Sequence, residues 1–175
     1  MNEFSDDVKI IFSNKYFKVN DKLSFLFEPG WSRRAGVIPY TIENGEYMLL
    51  LGEKKGNSLL TDLGGGCKKT ETPIICAQRE LREESRETLN FELKDVTHIV
   101  VTGNKGPHQV IFFVRFPKIG NEEYAFFESL KNEKLNKKGY TEISELEWLK
   151  YNDVIQYSRR DLESSLKSLL DLLIF

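Results

Sequence analysis

Residues 65–87 read GGCKKTETPIICAQRELREESRE, a glycine run followed by a helix-forming segment dense in acids. Thr72-Pro73 supplies an N-cap hydroxyl and then proline at the first helical position, so the spacing predicts a helix from Pro73 to about Glu87. Glu80, Glu83, Glu84 and Glu87 fall at i, i+3, i+4 and i+7 and stack along one side of it. Like charges so arranged weaken an isolated helix, so stability alone gives no reason to concentrate them. A hard divalent cation does, because it needs several carboxylate oxygens from one direction. Ile74, Ala77 and Leu81 occupy a second side and are expected to face a core. Arg79, Arg82 and Arg86 occupy a third, where one arginine can clamp a carboxylate by paired hydrogen bonds. The plain alternative is a solvated Glu/Arg surface laced with i,i+4 pairs. The preceding Gly64-Gly65-Gly66, expected as a bend using backbone conformations closed to other residues, and Glu71 at a fixed distance weigh against it.

Outward from this segment, Ala35–Ile42 and Glu46–Leu51 read as strands joined at Asn44-Gly45, a strong hairpin signal. Residues 54–58 read as a polar loop. A strand is expected within Phe91–Thr102, ending at the turn residues Gly103 to Pro107, and Val110–Phe116 reads as a buried strand. Glu122–Leu130 reads as a short helix, Lys131–Gly139 as a loop, and Ile143–Leu149 as a strand. Leu162, Leu166, Leu169, Leu170 and Leu173 are spaced for one helical face. Toward the N-terminus, Val8–Phe12 and Leu23–Phe27 read as strands or as an extended segment packed on the domain, closed by the turn pair Pro29-Gly30.

The chain has 175 residues, 40% of them hydrophobic and 12% aromatic, enough for one domain with its own core and against wholesale disorder. No repeat, low-complexity block or linker divides it, so residues 1–175 read as a single domain with residues 1–30 as an N-terminal extension. The 25 basic and 27 acidic residues leave a net charge of −2, which excludes a basic nucleic-acid coat. No apolar run is long enough to cross a bilayer, and MNEFSDDVKI has no signal-peptide pattern. Two cysteines, Cys67 and Cys76, cannot form a disulfide scaffold and read as reduced thiols; a cytoplasmic location is expected.

The stretch 65–87 resembles the Nudix box, G-x5-E-x7-R-E-U-x-E-E-x-G-U, where U is a bulky aliphatic residue. Gly65, Glu71, Arg79-Glu80-Leu81 and Glu83-Glu84 match it at the right offsets. Only the end departs: Arg86 stands at the second glycine and Glu87 at the last aliphatic. That glycine ordinarily ends the helix in a left-handed turn, so the helix is expected to run on or to end by another route. The box covers about an eighth of the chain, and the flanking hairpin and strands extend a weaker resemblance from Ala35 to Trp148.

The resemblance implies an α/β/α sandwich around a mixed central β-sheet. It also implies hydrolysis of the diphosphate bond of a nucleoside diphosphate linked to another moiety, with Mg2+ as cofactor and Mn2+ as a substitute. On the same grounds Gly65, Glu80, Glu83 and Glu84 are the expected metal ligands, Gly65 through its carbonyl, and Glu80 is a ligand or activates water. Arg79 and Glu71 are expected to hold helix and loop together, with Arg79 orienting a glutamate. Glu142, just before the late strand, matches a general-base position of many members. Glu145 is its substitute, and an exposed strand-edge glutamate is the plain alternative.

Arg33, Arg34 and Lys54, with Lys55, are candidates for contacting phosphates, against a background in which surface cations are common. Lys131, Lys134, Lys137 and Lys138 make a local basic run suited to an RNA end, or else a solvated loop. Trp31, Tyr40 and Phe112 can stack a base but more often such residues fill cores. His98 and His108 lack the spacing of a metal pair. No phosphate-binding lysine loop is present. Candidate substrates are nucleoside triphosphates, dinucleoside polyphosphates, ADP-ribose-like sugars, capped RNA ends and inositol pyrophosphates. The Trp-x-Pro common before the family's glycines is replaced by Thr61-Asp62-Leu63. The competing reading is an inactive Nudix-like module that senses a nucleotide, although such modules typically lose box glutamates that this chain keeps. The sequence does not speak to oligomeric state.

Overall fold

Asn44 and Gly45 adopt φ of 52° and 78°, the positive values a tight two-residue hairpin turn requires. They join β2 (Arg34–Glu43) to β3 (Glu46–Lys54) in antiparallel register from Tyr40↔Leu49 to Glu43↔Glu46. This computed structural model describes residues 3–13, 23–103, 109–118, 126–128, 142–156, 162–170, 172 and 174–175. The lysine run within 131–139, His108, Leu173, most of the expected helix 122–130 and most of the turn 103–107 lie outside them.

Among the described residues, eight strands form one mixed sheet. The others are β1 (Lys9–Phe12), β4 (Leu60–Thr61), β5 (Leu63–Gly66), β6 (Val96–Thr102), β7 (Gln109–Arg115) and β8 (Ile143–Lys150). The order is β1-β6-β7-β2-β3-β4, with β5 paired to β2 and β8 to β3. The β1/β6 and β2/β7 pairs are parallel and the remainder antiparallel. The N-terminal segment thus contributes an edge strand to the sheet.

Both faces of the sheet are buried. Along β7, Val110, Phe112 and Val114 point into one core, while Ile111 and Phe113 point into the other. The strand is therefore apolar at nearly every position, as a doubly covered strand must be. The first core is closed by Ile74, Ala77 and Leu81 of helix α1 (Pro73–Glu84). The second is closed by Val154 of α2 (Tyr151–Gln156) and by Leu162, Leu166 and Leu169 in and beside α3 (Ser164–Leu170). Helices on both faces of a mixed sheet make the expected α/β/α sandwich. Among the described residues, no helix is long and apolar enough to cross a membrane.

Leu23–Phe27 is a 3-10 turn instead of a strand. Its Phe25 and Leu26 are buried in the α1-side core, and a short apolar run meets that requirement in either conformation. Helix α1 starts where expected, with the Thr72 hydroxyl accepting from the Ile75 N–H at 3.1 Å. It ends by another route than a glycine. Arg86 and Glu87 themselves take left-handed φ of 51° and 63°. The Glu87 N–H donates to the Arg82 carbonyl at 2.6 Å and the Arg86 N–H to the Glu83 carbonyl at 3.1 Å, the paired bonds that close a helix in a Schellman turn.

Candidate active site

The glycine run is a strand, not the expected bend. Gly64, Gly65 and Gly66 pair with Gly36, Ala35 and Arg34 of β2, and none has positive φ. What Gly64 and Gly65 require is the absence of a side chain, whereas Gly66 borders open space. A Cβ on Gly64 would lie 2.5 Å from the Gly36 Cα and 2.7 Å from the Ala35 carbonyl oxygen. A Cβ on Gly65 would lie 2.6–2.8 Å from all three carboxyl atoms of Glu80. The glycines let α1 lie against β5 with its acids pressed onto the strand.

Arg79 organises those acids. Its Nε and Nη2 donate to the two oxygens of Glu71 at 2.7 and 2.9 Å. Nη1 donates to Glu80 at 2.8 Å and to Glu83 at 3.3 Å, and Nη2 also reaches the Gly66 carbonyl at 2.9 Å. Glu71 accepts in addition from the Lys68 N–H at 2.7 Å, which fixes the loop between β5 and α1. The hydrogen bonds from Arg79 hold the Glu71 carboxyl below its ordinary range, and those to Glu71 hold the guanidinium above its own.

Glu80 and Glu84 have the opposite electrostatics. Burial pushes the Glu80 carboxyl up; Arg79 opposes this, and the charges of Glu83 and Glu142 add to it. Glu84 is only 3% exposed and accepts from the Gly64 N–H at 3.0 Å. Burial drives its carboxyl well above the ordinary range, reinforced by Asp62, Glu80 and Glu142 and opposed by Arg34. Several carboxylates thus share a partly dry site with too little positive charge among them.

Among the described residues, no three His, Cys, Asp or Glu side chains are arranged to hold an ion as they stand. Glu80 and Glu83 turn toward Arg79, and Glu84 toward the Gly64 N–H. The donor chemistry nevertheless fits a hard divalent cation. It offers carboxylate oxygens beside backbone carbonyls, an excess of negative charge, and a glycine at 65 that lets the Glu80 carboxyl lie directly against the strand.

The other candidates lie on several elements of the sheet and its loops. Glu142 is exposed at the start of β8, and its charge acts on both Glu80 and Glu84; Glu145 is exposed on β8 opposite Glu53. Arg34 makes a two-pronged pair with Asp62 at 2.8 and 2.9 Å and reaches Gln109 at 3.0 Å. Burial works against its charge, but Asp62 together with Glu84 and Glu80 holds the guanidinium above its ordinary value. Arg33 is exposed, with its carbonyl accepting from the Cys67 N–H. Lys54 pairs with Glu163 at 2.8 Å, and Lys55 is exposed. Tyr40 and Phe112 are core residues, and Trp31 packs on Phe25 with ring centroids 4.5 Å apart.

Sequence reasoning did not find Asp62, which is 1% exposed and lies under Gly36 and Gly64. The signal was a lone acid set between Thr61 and Leu63 just before the glycines. The two cysteines, expected as thiols, are joined in a disulfide across nine positions. Cys67 follows β5 and Cys76 lies in the first turn of α1, so their Cα atoms come within 5.3 Å, a distance a disulfide spans. The bond encloses the loop that carries Glu71.

A family model described as the NUDIX domain matches residues 31–173, which starts just after Gly30 and leaves β1 outside. Among solved structures, the chain is similar to a Nudix hydrolase from M. smegmatis, RenU, with a TM-score of 0.54 and 17% identity over 82% of this chain and 84% of that one. It is also similar to the NUDIX domain of Shewanella oneidensis NrtR, crystallised with ADP ribose, with a TM-score of 0.52 and 14% identity over 83% and 86% of the two chains. A C. elegans Ap4A hydrolase covers 79% of this chain and 91% of its own at 17% identity and a TM-score of 0.46. No curated protein matches at a significant level. At these identities the RenU and NrtR structures speak for the fold alone.

Proposed function

Since this chain belongs to the Nudix family of hydrolases acting on phosphorus anhydrides, we propose that it cleaves the diphosphate bond of a nucleoside diphosphate linked to another moiety, with Mg2+ as cofactor and Mn2+ able to replace it. Glu80, Glu83 and Glu84 would hold the ion through carboxylate oxygens, with the Gly65 carbonyl beside them. When bound, the cation supplies the positive charge without which a dense polyanion repels an approaching nucleophile.

The chain's own groups do the rest. Arg79 keeps Glu80 and Glu83 in fixed rotamers and ties both to the loop through Glu71. Glu142 takes the proton of the attacking water as that water adds to one phosphorus and the bridging oxygen departs with the other. Its exposure leaves it free to reach solvent, and its charge is felt by Glu80 and Glu84. Arg33 and Arg34 flank the glycine strand and Lys54 stands at the end of β3, where they would meet phosphate oxygens, Arg34 and Lys54 doing so beside their partners Asp62 and Glu163. Within this substrate class, capped RNA ends and dinucleoside polyphosphates are included.

The observation that carries the reading is the Arg79 hub, where one guanidinium gathers Glu71, Glu80, Glu83 and the Gly66 carbonyl. Its direct test is phosphate or nucleotide release from a panel: ADP-ribose, dinucleoside polyphosphates, nucleoside triphosphates, capped RNA and inositol pyrophosphates, each with Mg2+ and with Mn2+. Turnover that disappears on chelation supports the enzyme. Tight binding with no turnover of any member would favour the nucleotide-sensing module instead.

A further inference from the structure

Arg86 heads the largest fully buried side chains of the described chain, at 2% exposure and with φ of 51°. A guanidinium has no ordinary reason to be inside a protein, and a side chain at positive φ adds strain that glycine would avoid. Its burial is met by specific partners. Nη2 donates to the Ile143 carbonyl at 2.6 Å and Nη1 to the Phe127 carbonyl at 3.2 Å, and the group lies 3.9 Å over the Phe127 ring. Ile143 opens β8 and directly follows Glu142. The Glu142 carbonyl in turn accepts from the Lys55 N–H at 2.9 Å. Two successive carbonyls are therefore held from two directions, one by the end of β3 and one by the end of the acid-bearing helix.

We propose that Arg86 is a positioning residue that fixes the Glu142 segment at a set distance from the carboxylates of Glu80 and Glu84. It stands two residues after Glu84 and one turn from Glu83, so its planar fork converts the end of α1 into a strut for the first residues of β8. Lysine cannot replace this, because a single nitrogen does not reach two carbonyls in divergent directions while lying flat on a ring. The catalytic part of the inference rests on Glu142 acting as the base in the reading above; the placement part does not.

The test uses the full chain with Arg86→Gly, Arg86→Lys, Glu142→Gln and the Arg86→Gly/Glu142→Gln double variant. Amide hydrogen exchange without substrate reads placement. Arg86→Gly is expected to speed exchange at residues 142–144 at least tenfold while the amides of Ala77–Leu81 stay protected. Kinetics on whichever panel substrate turns over read the consequence. The kcat of Arg86→Gly is expected to fall about 10- to 100-fold with KM within about threefold, the loss a misplaced group produces. Millimolar methylguanidine should restore part of that rate, and Arg86→Lys should not reach the wild-type value. In the Glu142→Gln background the same change should cost less than about twofold. Unchanged exchange at 142–144 overturns the inference whatever the rates do. So does an equal kcat loss in both backgrounds. Faster exchange together with a fully active Glu142→Gln variant instead sinks the base assignment and leaves the strut standing. Should Arg86→Gly not fold, Arg86→Lys carries the same two readouts.

Discussion

Arg79 and Glu71 meet through two parallel hydrogen bonds of 2.7 and 2.9 Å, joining the second turn of α1 to the loop that leads into it. This pair sets where the rest of the site can be. The Arg79 and Glu71 side chains are 17% and 9% exposed, so truncating one leaves the other in a poorly hydrated place.

We expect Glu71→Gln to lower stability by about 2 kcal/mol, in the range for a charged hydrogen bond, or ~6 °C in melting temperature for a domain of this size. Arg79→Lys should be similarly destabilised and should lose at least tenfold in kcat, since one ammonium cannot serve Glu71, Glu80 and Glu83 together. Thermal melts and steady-state rates check both. A melting point within a degree of wild type for Glu71→Gln would contradict the clamp.

The two central glycines should separate stability from activity. At Gly65 a new Cβ meets the flexible end of Glu80, which can swing away. Gly65→Ala should therefore fold but lose most turnover. At Gly64 the obstacles include, beside the Asp62 carboxylate, the Gly36 Cα and the Ala35 carbonyl, which are backbone and cannot swing away. Gly64→Ala should cost about 3 kcal/mol or fail to fold. Circular dichroism and melts on the two variants decide this; equal stability loss in both would be at odds with the packing described.

These glycines also show what a sequence conceals. A triple glycine reads as a bend because nothing local says that it will find β2 and pair with it, thirty residues away. Leu23–Phe27 satisfies its burial equally well as a 3-10 turn. Arg86 reads as one more surface arginine, because its partners lie 41 and 57 residues along the chain. What was legible is what local chemistry dictates: the Thr72-Pro73 helix start, the Asn44-Gly45 turn, the apolar β7 and the leucine face before Phe175. The pairing of Arg79 with Glu71 was legible too, by likeness to a known box, and the structure brings the two together.

The Glu84 carboxyl, raised chiefly by burial, predicts an unusual pH response. The folded protein binds this proton more readily than the unfolded chain, whose glutamates titrate at about 4.3. Without metal, Glu84 therefore favours folding most at acid pH, and that contribution is lost as pH rises through the raised folded value. A divalent ion should reverse the trend, because it binds the carboxylate form only. We expect Mg2+ or Mn2+ to raise the melting temperature more at pH 8 than at pH 5. Glu84→Gln should match or exceed wild-type stability at pH 8 in chelator and gain less from metal. Melting curves over pH, with and without metal, check both signs.

The Cys67–Cys76 bond leaves the chain, which has two cysteines, with no free thiol. Alkylation of the unfolded, unreduced protein should add no mass. Reduction should cost about 2–3 kcal/mol on chain-entropy grounds for a loop of about ten residues. Two alkylated cysteines before reduction would contradict the bond.

The central claim is that the box acids gather one divalent ion for phosphoryl chemistry. Its most direct measurement is Mn2+ binding by calorimetry to wild type, Glu83→Gln and Glu84→Gln, with hydrolysis assayed on the same samples. The account predicts saturable binding to wild type, a drop of at least tenfold in affinity in each variant, and loss of most turnover with the fold intact. Wild-type affinity and rate in a folded Glu84→Gln protein would contradict it.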